Sequence, residues 1–184
     1  MKYLVGGLVV LLVALIIMVS FYLGAFKTVT FAEKQFPPLN VVYKDYQGPY
    51  HKIVPTLEEV AALVRTRGES CERSFGEFLD NPKEVDEDRL RSRVGCLVEQ
   101  PLDELPAGYK SAKIDYPSYL VAVFTGSPAI GPFKVYPKAE ALLAQRPGIS
   151  AGPPIEIYRI LNAENNEMET NYLFPLKTAA PSPP

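Results

Sequence analysis

The sequence contains few of the residues from which metal, redox and hydrolytic sites are usually built. It has one histidine, His51, two cysteines and no tryptophan in 184 residues. The letters Gly-x-Ser-x-Gly occur once, at 148–152, but between a predicted helix and a predicted strand rather than in the strand-to-helix turn of a nucleophile elbow. No glycine-rich phosphate loop is present, and the cysteines lack the close spacing of zinc ligands. We therefore expect no metal ion or other cofactor, and these patterns do not favour an enzyme.

The two cysteines, Cys71 and Cys96, leave two interpretations open. They can form one disulfide if the domain lies in an oxidising compartment. They can also remain two separate buried thiols, because a free cysteine commonly behaves as a small apolar residue. The sequence favours the second interpretation.

Charge is nearly balanced, and no segment is strongly basic. Lysine and arginine number 19 against 21 acidic residues, which gives a net charge of −2. Without a basic block, nucleic acid is not an expected partner. The densest run of charge, residues 83–91, mixes both signs and is typical of a solvated surface. The neighbouring acids Asp86/Asp88 and Glu58/Glu59 fall in segments of this exposed type, so acid–base catalysis has no support there.

One long apolar run occupies the start of the chain. No charged residue occurs from Tyr3 to Phe26, between Lys2 and Lys27. The hydrocarbon core of a bilayer is about 30 Å thick and needs about 20 apolar residues in a helix. We predict that residues 1–27 form a single transmembrane anchor that contacts the lipid bilayer through Tyr3 to Phe26.

A cleaved signal peptide is the alternative to a retained anchor. Signal peptides have a shorter apolar region and a small-x-small cleavage site, and Leu23-Gly24-Ala25 is a weak site of that kind. Positive residues favour the cytoplasmic side of a span. Lys27, Lys34 and Lys44 follow the span and Lys2 precedes it, so the count favours a cytosolic domain.

The remainder of the chain has the length of one domain. We assign residues 28–39 to a juxtamembrane spacer, residues 40–177 to a folded domain and residues 178–184 to a disordered tail. Alternating β-branched and aromatic residues predict strands at 40–46, 74–79, 93–98, 112–115, 120–124, 155–161 and 171–176. A polar turn is expected at 162–167.

Two helices are predicted between these strands. Thr56-Leu57-Glu58-Glu59 is a capping-box pattern for the start of the first helix. Its apolar residues recur with helical spacing until Gly68, at Leu57, Val60, Ala61 and Val64. The second helix is expected from Val135 to Gln145.

The order of elements repeats with a period of 78 residues. Gly48 and Gly126, Phe78 and Glu156, and Val94 and Tyr172 are each 78 positions apart. The repeat predicts an α+β fold in which duplicated strand–helix–strand–strand units form one sheet with two helices on one face. We expect the open face to be concave between the halves and to offer a small-molecule site.

Three segments resemble the GyrI-like, or effector-binding, domain superfamily: GPY at 48–50, FLDNPKEVDEDRLRSRVGCLV at 78–98 and GPPIEIYRI at 152–160. The resemblance implies paired strand–helix–strand–strand units around a ligand cleft. Many members bind bulky, often cationic, aromatic compounds, and some are hydrolases.

A membrane-anchored branch, the testis-expressed reticulophagy receptor family, is similar over nearly the whole chain. The shared segments are PPLNVVYK at 37–44, ESC at 69–71, DNP with VGC between 80 and 96, and the strand at 172–175. This likeness implies an anchor of the endoplasmic-reticulum type with a cytosolic domain. If the chain is bacterial, we expect the anchor to lie in the inner membrane.

Two departures from these families bear on function. The receptors carry a long acidic tail with an autophagy-protein-binding motif, whereas this chain ends in TAAPSPP, so receptor activity is not expected. Effector-binding domains place a glutamate on the last strand, where this chain has Asn171. An asparagine can hydrogen-bond but cannot neutralise a cation.

The predicted ligand-binding residues are strand or loop aromatics with two polar partners. They are Tyr43, Tyr50, Phe78, Tyr119, Glu156, Tyr158, Asn171 and Tyr172. We expect a membrane-anchored domain that binds a small hydrophobic or aromatic molecule, or a partner at the membrane surface, without catalysis. A protein–protein adaptor and a GyrI-like hydrolase, with Glu156 as its acid or base, are the alternatives.

Overall fold

The computed structural model describes residues 2–162 and 167–177. The elements are α1 (Lys2–Tyr22), β1 (Thr30–Lys34), β2 (Leu39–Gln47), α2 (Val54–Thr66), β3 (Ser74–Phe78), β4 (Arg91–Val98), β5 (Lys110–Ile114), β6 (Ser118–Gly126), α3 (Gly131–Ala144), β7 (Ile155–Asn162) and β8 (Glu167–Leu176). Short 3-10 turns lie at Tyr50–Lys52 and Glu87–Arg89. Most of the turn predicted at 162–167, and the tail predicted at 178–184, lie outside the described residues.

The strands form one antiparallel sheet in the order β1-β6-β8-β7-β3-β4-β2-β5. The predicted duplication is confirmed: β2-α2-β3-β4 and β6-α3-β7-β8 repeat the same order of elements. The halves meet at the centre of the sheet, where β3 pairs with β7 and Gly76 lies opposite Glu156. Residues at the centre of the pairing therefore come from both halves.

Both helices pack on the same face of the sheet, as predicted. On this helix face, α2 places the buried Val60 and Val64 against Val42 and Cys96. In the other half, α3 packs Val135 and Ala139 against Ala122 and Tyr172, among others. Residues that lie directly opposite each other on neighbouring strands point to the same side of a sheet. The cross-strand register therefore places both clusters on one face.

The concave small-molecule site expected on the opposite face stays a prediction, and that face is covered by its own side chains. It buries aliphatic and aromatic side chains from both halves, including Val41, Phe75 and Leu173. The connecting segments carry Phe36 and Tyr116 onto this face, where their rings meet Tyr119 edge-on at 5.7 and 5.9 Å between centroids. Apolar side chains therefore cover one another without a helix.

The segment predicted to be a spacer contains strand β1. Thr30–Lys34 pairs with β6 along one edge of the sheet. The strand is short and its burial alternates between exposed and half-buried residues, so it lacks the apolar run that marks the central strands. Edge position explains why the sequence pattern did not reveal it.

The predicted capping box is wrong. Helix α2 begins at Val54, with Ile53 as its N-cap and no side-chain cap bond, and Pro55 lies in the first turn. Thr56 is therefore already helical. The end of the helix agrees with prediction, because Gly68 adopts φ +82°, a conformation that favours glycine after a helix.

Cys71 and Cys96 form a disulfide, with their Cα atoms 5.4 Å apart, so the prediction of two separate thiols is wrong. The bond joins β4 to the α2–β3 connection beneath α2. Sequence spacing gave no sign of it, because only tertiary structure brings the two residues together.

The DNP segment at 80–82 and the RSRVG segment at 91–95 have structural roles. Arg91 donates from Nε and Nη2 to the Asp80 carboxylate at 3.0 and 2.7 Å, and this pairing lowers the pKa of Asp80. A Cβ at Gly95 would collide with the Val42 carbonyl oxygen. The motif therefore fixes the β3–β4 connection and lets β2 approach β4 closely.

Candidate functional site

Among the residues that the structure describes, the helix face carries one buried acid beneath the two helices, Glu156 of β7. Its side chain is 5% exposed. Strand β7 alternates, so Ile155 and Ile157 point to the opposite face while Glu156 and Tyr158 point towards the helices. The alternation of an otherwise apolar strand thus places a carboxylate inside the core.

Two tyrosine hydroxyls hold this carboxylate. Tyr136 of α3 donates to Oε1 at 2.7 Å, and Tyr158 donates to Oε2 at 3.0 Å. Tyr172 lies directly across from Glu156 on β8, and its ring meets that of Tyr136 edge-on at 6.1 Å. Tyr172 therefore flanks the acid on the β8 side, Tyr136 covers it from helix α3, and Tyr158 contacts it from its own strand.

On the β3 side, a glycine lies beside the acid. Gly76 is the cross-strand neighbour of Glu156, and the ring of Phe78 folds over it, since a Cβ there would come within 2.9 Å of the ring. Tyr50 packs on Phe78 at 4.6 Å between ring centroids. The side of the acid without a large cross-strand partner is therefore covered by the Phe78 ring.

Burial dominates the electrostatics of the site. Desolvation raises the pKa of Glu156 to about 7, although hydrogen bonds from Tyr136 and Tyr158 act to lower it. Burial also raises the pKa of both hydroxyls well above the ordinary value, so they remain donors. A carboxylate with this pKa changes charge near neutral pH.

A second buried acid, Glu77, has a cationic partner, whereas Glu156 has none among the described residues. Glu77 is 3% exposed on the opposite face, and Arg93 donates to it from Nη1 at 2.9 Å. Within residues 2–162 and 167–177, no cationic side chain forms a salt bridge to Glu156. Its negative charge is therefore stabilised by neutral hydroxyl groups alone.

The structure divides the predicted ligand-binding residues between the two faces. Tyr50, Phe78, Glu156, Tyr158 and Tyr172 lie together on the helix face. The opposite face carries the other three, which are Tyr43, Tyr119 and Asn171. Strand parity separates them, because odd and even positions of one strand point to different sides.

The roles of some predicted residues also differ from expectation. The hydroxyl of Tyr50 is engaged by the backbone, donating to the Asp80 carbonyl at 2.9 Å and accepting from the Asp80 N–H at 3.1 Å. The Asn171 amide lies 3.4 Å from Glu169 on the opposite face. Tyr50 thus fastens a loop, and Asn171 does not approach Glu156.

Sequence reasoning missed Tyr136, because only strand and loop aromatics were considered. A signal was present in the helical spacing. Tyr136, Ala139 and Leu143 recur at i, i+3 and i+7, and all three pack against the same cluster of the sheet. An aromatic on the inward face of the second helix would have been found by that spacing.

The site is filled by its own side chains. Tyr158 is 9% exposed and Tyr172 1%, whereas Tyr136 is half-buried and forms the outer cover. A cavity of about 140 Å³ lies elsewhere, where the end of α3 meets the sheet, and is lined by Glu33, Leu143 and Arg146 among others. Access to Glu156 therefore requires Tyr136 or Phe78 to move.

The fold and this site define an α+β domain with a buried, uncompensated acid among aromatic rings. A family model of the GyrI-like small molecule binding domain matches residues 30–177. The chain therefore belongs to the GyrI-like family. The match begins at β1, in agreement with the sheet.

Solved structures share this fold at low sequence identity. EcmrR in its DNA complex is 13% identical with a TM-score of 0.68, over 97% of this chain and 70% of that one. The EcmrR C-terminal domain is 17% identical with a TM-score of 0.64, over 82% and 99% of the two chains. A hydrolase from Listeria innocua is 14% identical with a TM-score of 0.51, over 85% and 98%. No protein of curated function matches the sequence.

Proposed function

We propose that the chain is a membrane-anchored domain that binds a hydrophobic, aromatic cation at Glu156 without catalysing a reaction. The observation that carries the proposal is the buried carboxylate held only by tyrosine hydroxyls. A cation bound there would supply the charge that the protein does not. A buried ion is costly unless it is paired, and tyrosine rings favour a cation through their π faces.

Helix α3 offers a physical route by which the site can open. Pro137 lies inside α3 and lacks the N–H that would bond the Phe133 carbonyl. The helix is therefore weakened in the turn that carries Tyr136. Displacing this one side chain would expose the carboxylate and the Tyr172 ring to a ligand entering between the helices.

The anchor proposal rests on α1. Val5–Tyr22 is long and apolar enough to cross a membrane, and none of it is buried in the structure. An exposed apolar helix of this length is stable only if lipid or another protein covers it. The order of anchor and GyrI-like domain is the one that the resemblance to the reticulophagy receptors implies.

Affinity for tetraphenylphosphonium, compared with that for tetraphenylborate, tests the binding proposal. The two ions have the same shape and opposite charge. We expect the full chain in nanodiscs to bind the cation preferentially, and more tightly as the pH rises through about 7, where Glu156 ionises. Glu156→Gln removes a charge-assisted contact of about 1.5–3 kcal/mol, which is a loss of roughly 10- to 100-fold.

The matched control is Glu140→Gln, which changes an exposed glutamate of α3 paired with Lys83 at 2.8 Å. It should leave the affinity unchanged. Equal binding of both ions, or a Glu156→Gln variant that binds the cation as tightly as the parent, would contradict the proposal.

Hydrolysis is the second candidate, favoured by the pKa of Glu156 near 7 and by the fold shared with the Listeria hydrolase. An acid that titrates near neutral pH suits general acid–base catalysis. Turnover of a panel of esters that disappears in Glu156→Gln, with Glu140→Gln retaining it, would establish this role.

An adaptor is the third candidate, favoured by the closed packing around Glu156 and by the exposed apolar residues of the domain surface. Native mass spectrometry separates it from ligand binding. A retained small-molecule mass supports a ligand site, and a bare mass that persists after exposure to hydrophobic cations and lipids supports an adaptor.

A further inference from the structure

Helix α1 joins the domain through specific contacts. Its last turns lead to the Leu23 carbonyl, which accepts from the Ser127 N–H at 3.2 Å. Gly24 is buried against Gly126 and Phe124. These contacts fix the end of α1 at the point where β6 ends, and the rest of α1 projects away from the sheet, exposed along its length.

The start of α3 reaches the same point. The Lys134 ammonium group donates to the Ala25 carbonyl, and it also lies 5.9 Å from the centroid of the Phe124 ring. The preceding residue, Phe133, is 81% exposed. A large aromatic side chain is thus presented to the surroundings beside the end of α1.

The β7–β8 hairpin reaches the end of α1 from another side. Lys27 pairs with Glu167, the first residue of β8, at 3.3 Å. Strand β7 pairs with β3 only as far as Tyr158, so the hairpin extends beyond the neighbouring strand. On this extension Ile160 is 64% exposed and Leu161 45%.

Apolar side chains from three separate elements therefore lie at the end of the sheet where α1 ends. We name this set the collar: Phe26, Phe133, Ile160 and Leu161. Phe26 is itself 61% exposed. Two lysines accompany the set, Lys27 and Lys134, and aromatic residues with nearby lysines are the composition found at membrane–water interfaces.

We propose that the collar inserts into the headgroup region of the bilayer that α1 spans, so that the domain is seated on the membrane in one orientation. The inference rests on the proposed anchor, because continuity with α1 is what selects lipid as the occupant. An exposed apolar residue at this depth gains from partial burial in the interface. If the domain were joined to α1 by a flexible linker and did not contact the membrane, these apolar residues would gain no stabilisation from lipid.

The absence of tryptophan from the chain makes the test direct, since each variant carries a single indole. Phe133→Trp and Ile160→Trp report on the collar, and Val10→Trp reports on the middle of α1. The control is Val54→Trp, because Val54 is 54% exposed at the start of α2, near the other end of the strands. Each full-length variant is reconstituted into phosphatidylcholine vesicles without a quencher, with lipid carrying a doxyl group near the headgroup, and with lipid carrying a doxyl group deep in the acyl chain.

We expect the fluorescence of tryptophan at positions 133 and 160 to be blue-shifted in vesicles and to be quenched by the doxyl group near the headgroup. Tryptophan at position 54 should show neither effect. Quenching at position 10 by a doxyl group deep in the acyl chain, without quenching at 133 and 160, would overturn the collar while leaving the anchor intact. If the deep doxyl group does not quench position 10, the anchor is refuted, and the collar proposal that rests on it is refuted as well. A blue shift that follows protein concentration in detergent, without lipid quenching, would assign the collar to a second copy of the chain and overturn the proposal.

Discussion

Two buried glutamates show how single residues acquire different roles on one sheet. Glu77 directly follows Gly76, the cross-strand neighbour of Glu156, so the alternation of β3 places the two acids on opposite faces of the sheet. Glu77 has the Arg93 guanidinium at 2.9 Å, which makes it part of a structural ion pair. Glu156 has only neutral donors, and that difference makes it the binding candidate.

The pH dependence of stability follows from the burial of Glu156. Its pKa rises from the ordinary 4.5 to about 7 in the folded protein, so the folded state holds this proton more tightly than the unfolded chain. The contribution of this proton to the free energy of unfolding is fully present below about pH 4.5 and is lost as the pH rises through about 7. At roughly 1.4 kcal/mol for each pKa unit, the upper limit of the loss is about 3.5 kcal/mol.

Glu156→Gln removes this dependence, since glutamine does not titrate. Chemical unfolding at pH 5 and pH 8 should show the variant gaining stability relative to the parent as the pH rises. Taking the difference between the two proteins cancels the titration of the other groups they share. A difference that stays constant between pH 5 and 8 would show that Glu156 does not titrate with a raised pKa.

At the scale of elements, α3 is the weaker of the two helices that cover the site. Its interior contains Pro137, whereas Pro132 lies in the first turn, where a helix has no partner for the N–H. Gly131, which begins the helix, leaves no room for a Cβ beside the Tyr172 hydroxyl. The helix is thus pressed closely to the sheet at its start and weakened further along.

Pro137→Ala should stabilise α3 by restoring the hydrogen bond to the Phe133 carbonyl. Proline in a helix interior costs up to about 3 kcal/mol relative to alanine, so we expect a gain of about 1–3 kcal/mol in the free energy of unfolding. If α3 opens to admit the ligand, association with tetraphenylphosphonium should also become slower. Stopped-flow binding and thermal unfolding by circular dichroism measure the two effects.

Pro132→Ala is the matched control, because no helical hydrogen bond is lost at that position. It should change neither stability nor the association rate appreciably. Equal effects of the two substitutions would show that Pro137 does not weaken the helix.

At the scale of the whole molecule, the disulfide and the lysine count disagree on the orientation of the anchor. Disulfides persist in oxidising compartments, whereas Lys27, Lys34 and Lys44 favour the cytosol. Lys34 lies in β1, and Lys44 lies in β2 with Glu59 at 2.8 Å, so two of the three lysines belong to the folded domain. We therefore give the disulfide more weight, and propose that the domain faces an oxidising compartment.

Alkylation of the native protein, trapped in acid before isolation, measures the thiols directly. We expect neither Cys71 nor Cys96 to react without prior reduction. Reducing the bond, which closes a loop of 25 residues, should lower the free energy of unfolding by roughly 3 kcal/mol. Complete alkylation of both cysteines would instead support the cytosolic orientation.

Local sequence patterns were enough to predict the order of the elements of the two repeated units. The 78-residue repeat, the alternating strands and the Gly68 helix end were read from local patterns, since propensity and periodicity are properties of neighbouring residues. The same patterns identified the apolar helix and placed Glu156 among the candidate residues. Strand β1 was missed because a short edge strand has no apolar run.

Tertiary structure alone decided which residues meet. Strand register sent Tyr43, Tyr119 and Asn171 to the face opposite Glu156, since a side chain's face depends on how strands pair. Packing of α3 brought Tyr136 to the acid, and the fold brought Cys71 to Cys96. Burial, which sets the pKa of Glu156, exists only once the sheet and both helices have assembled.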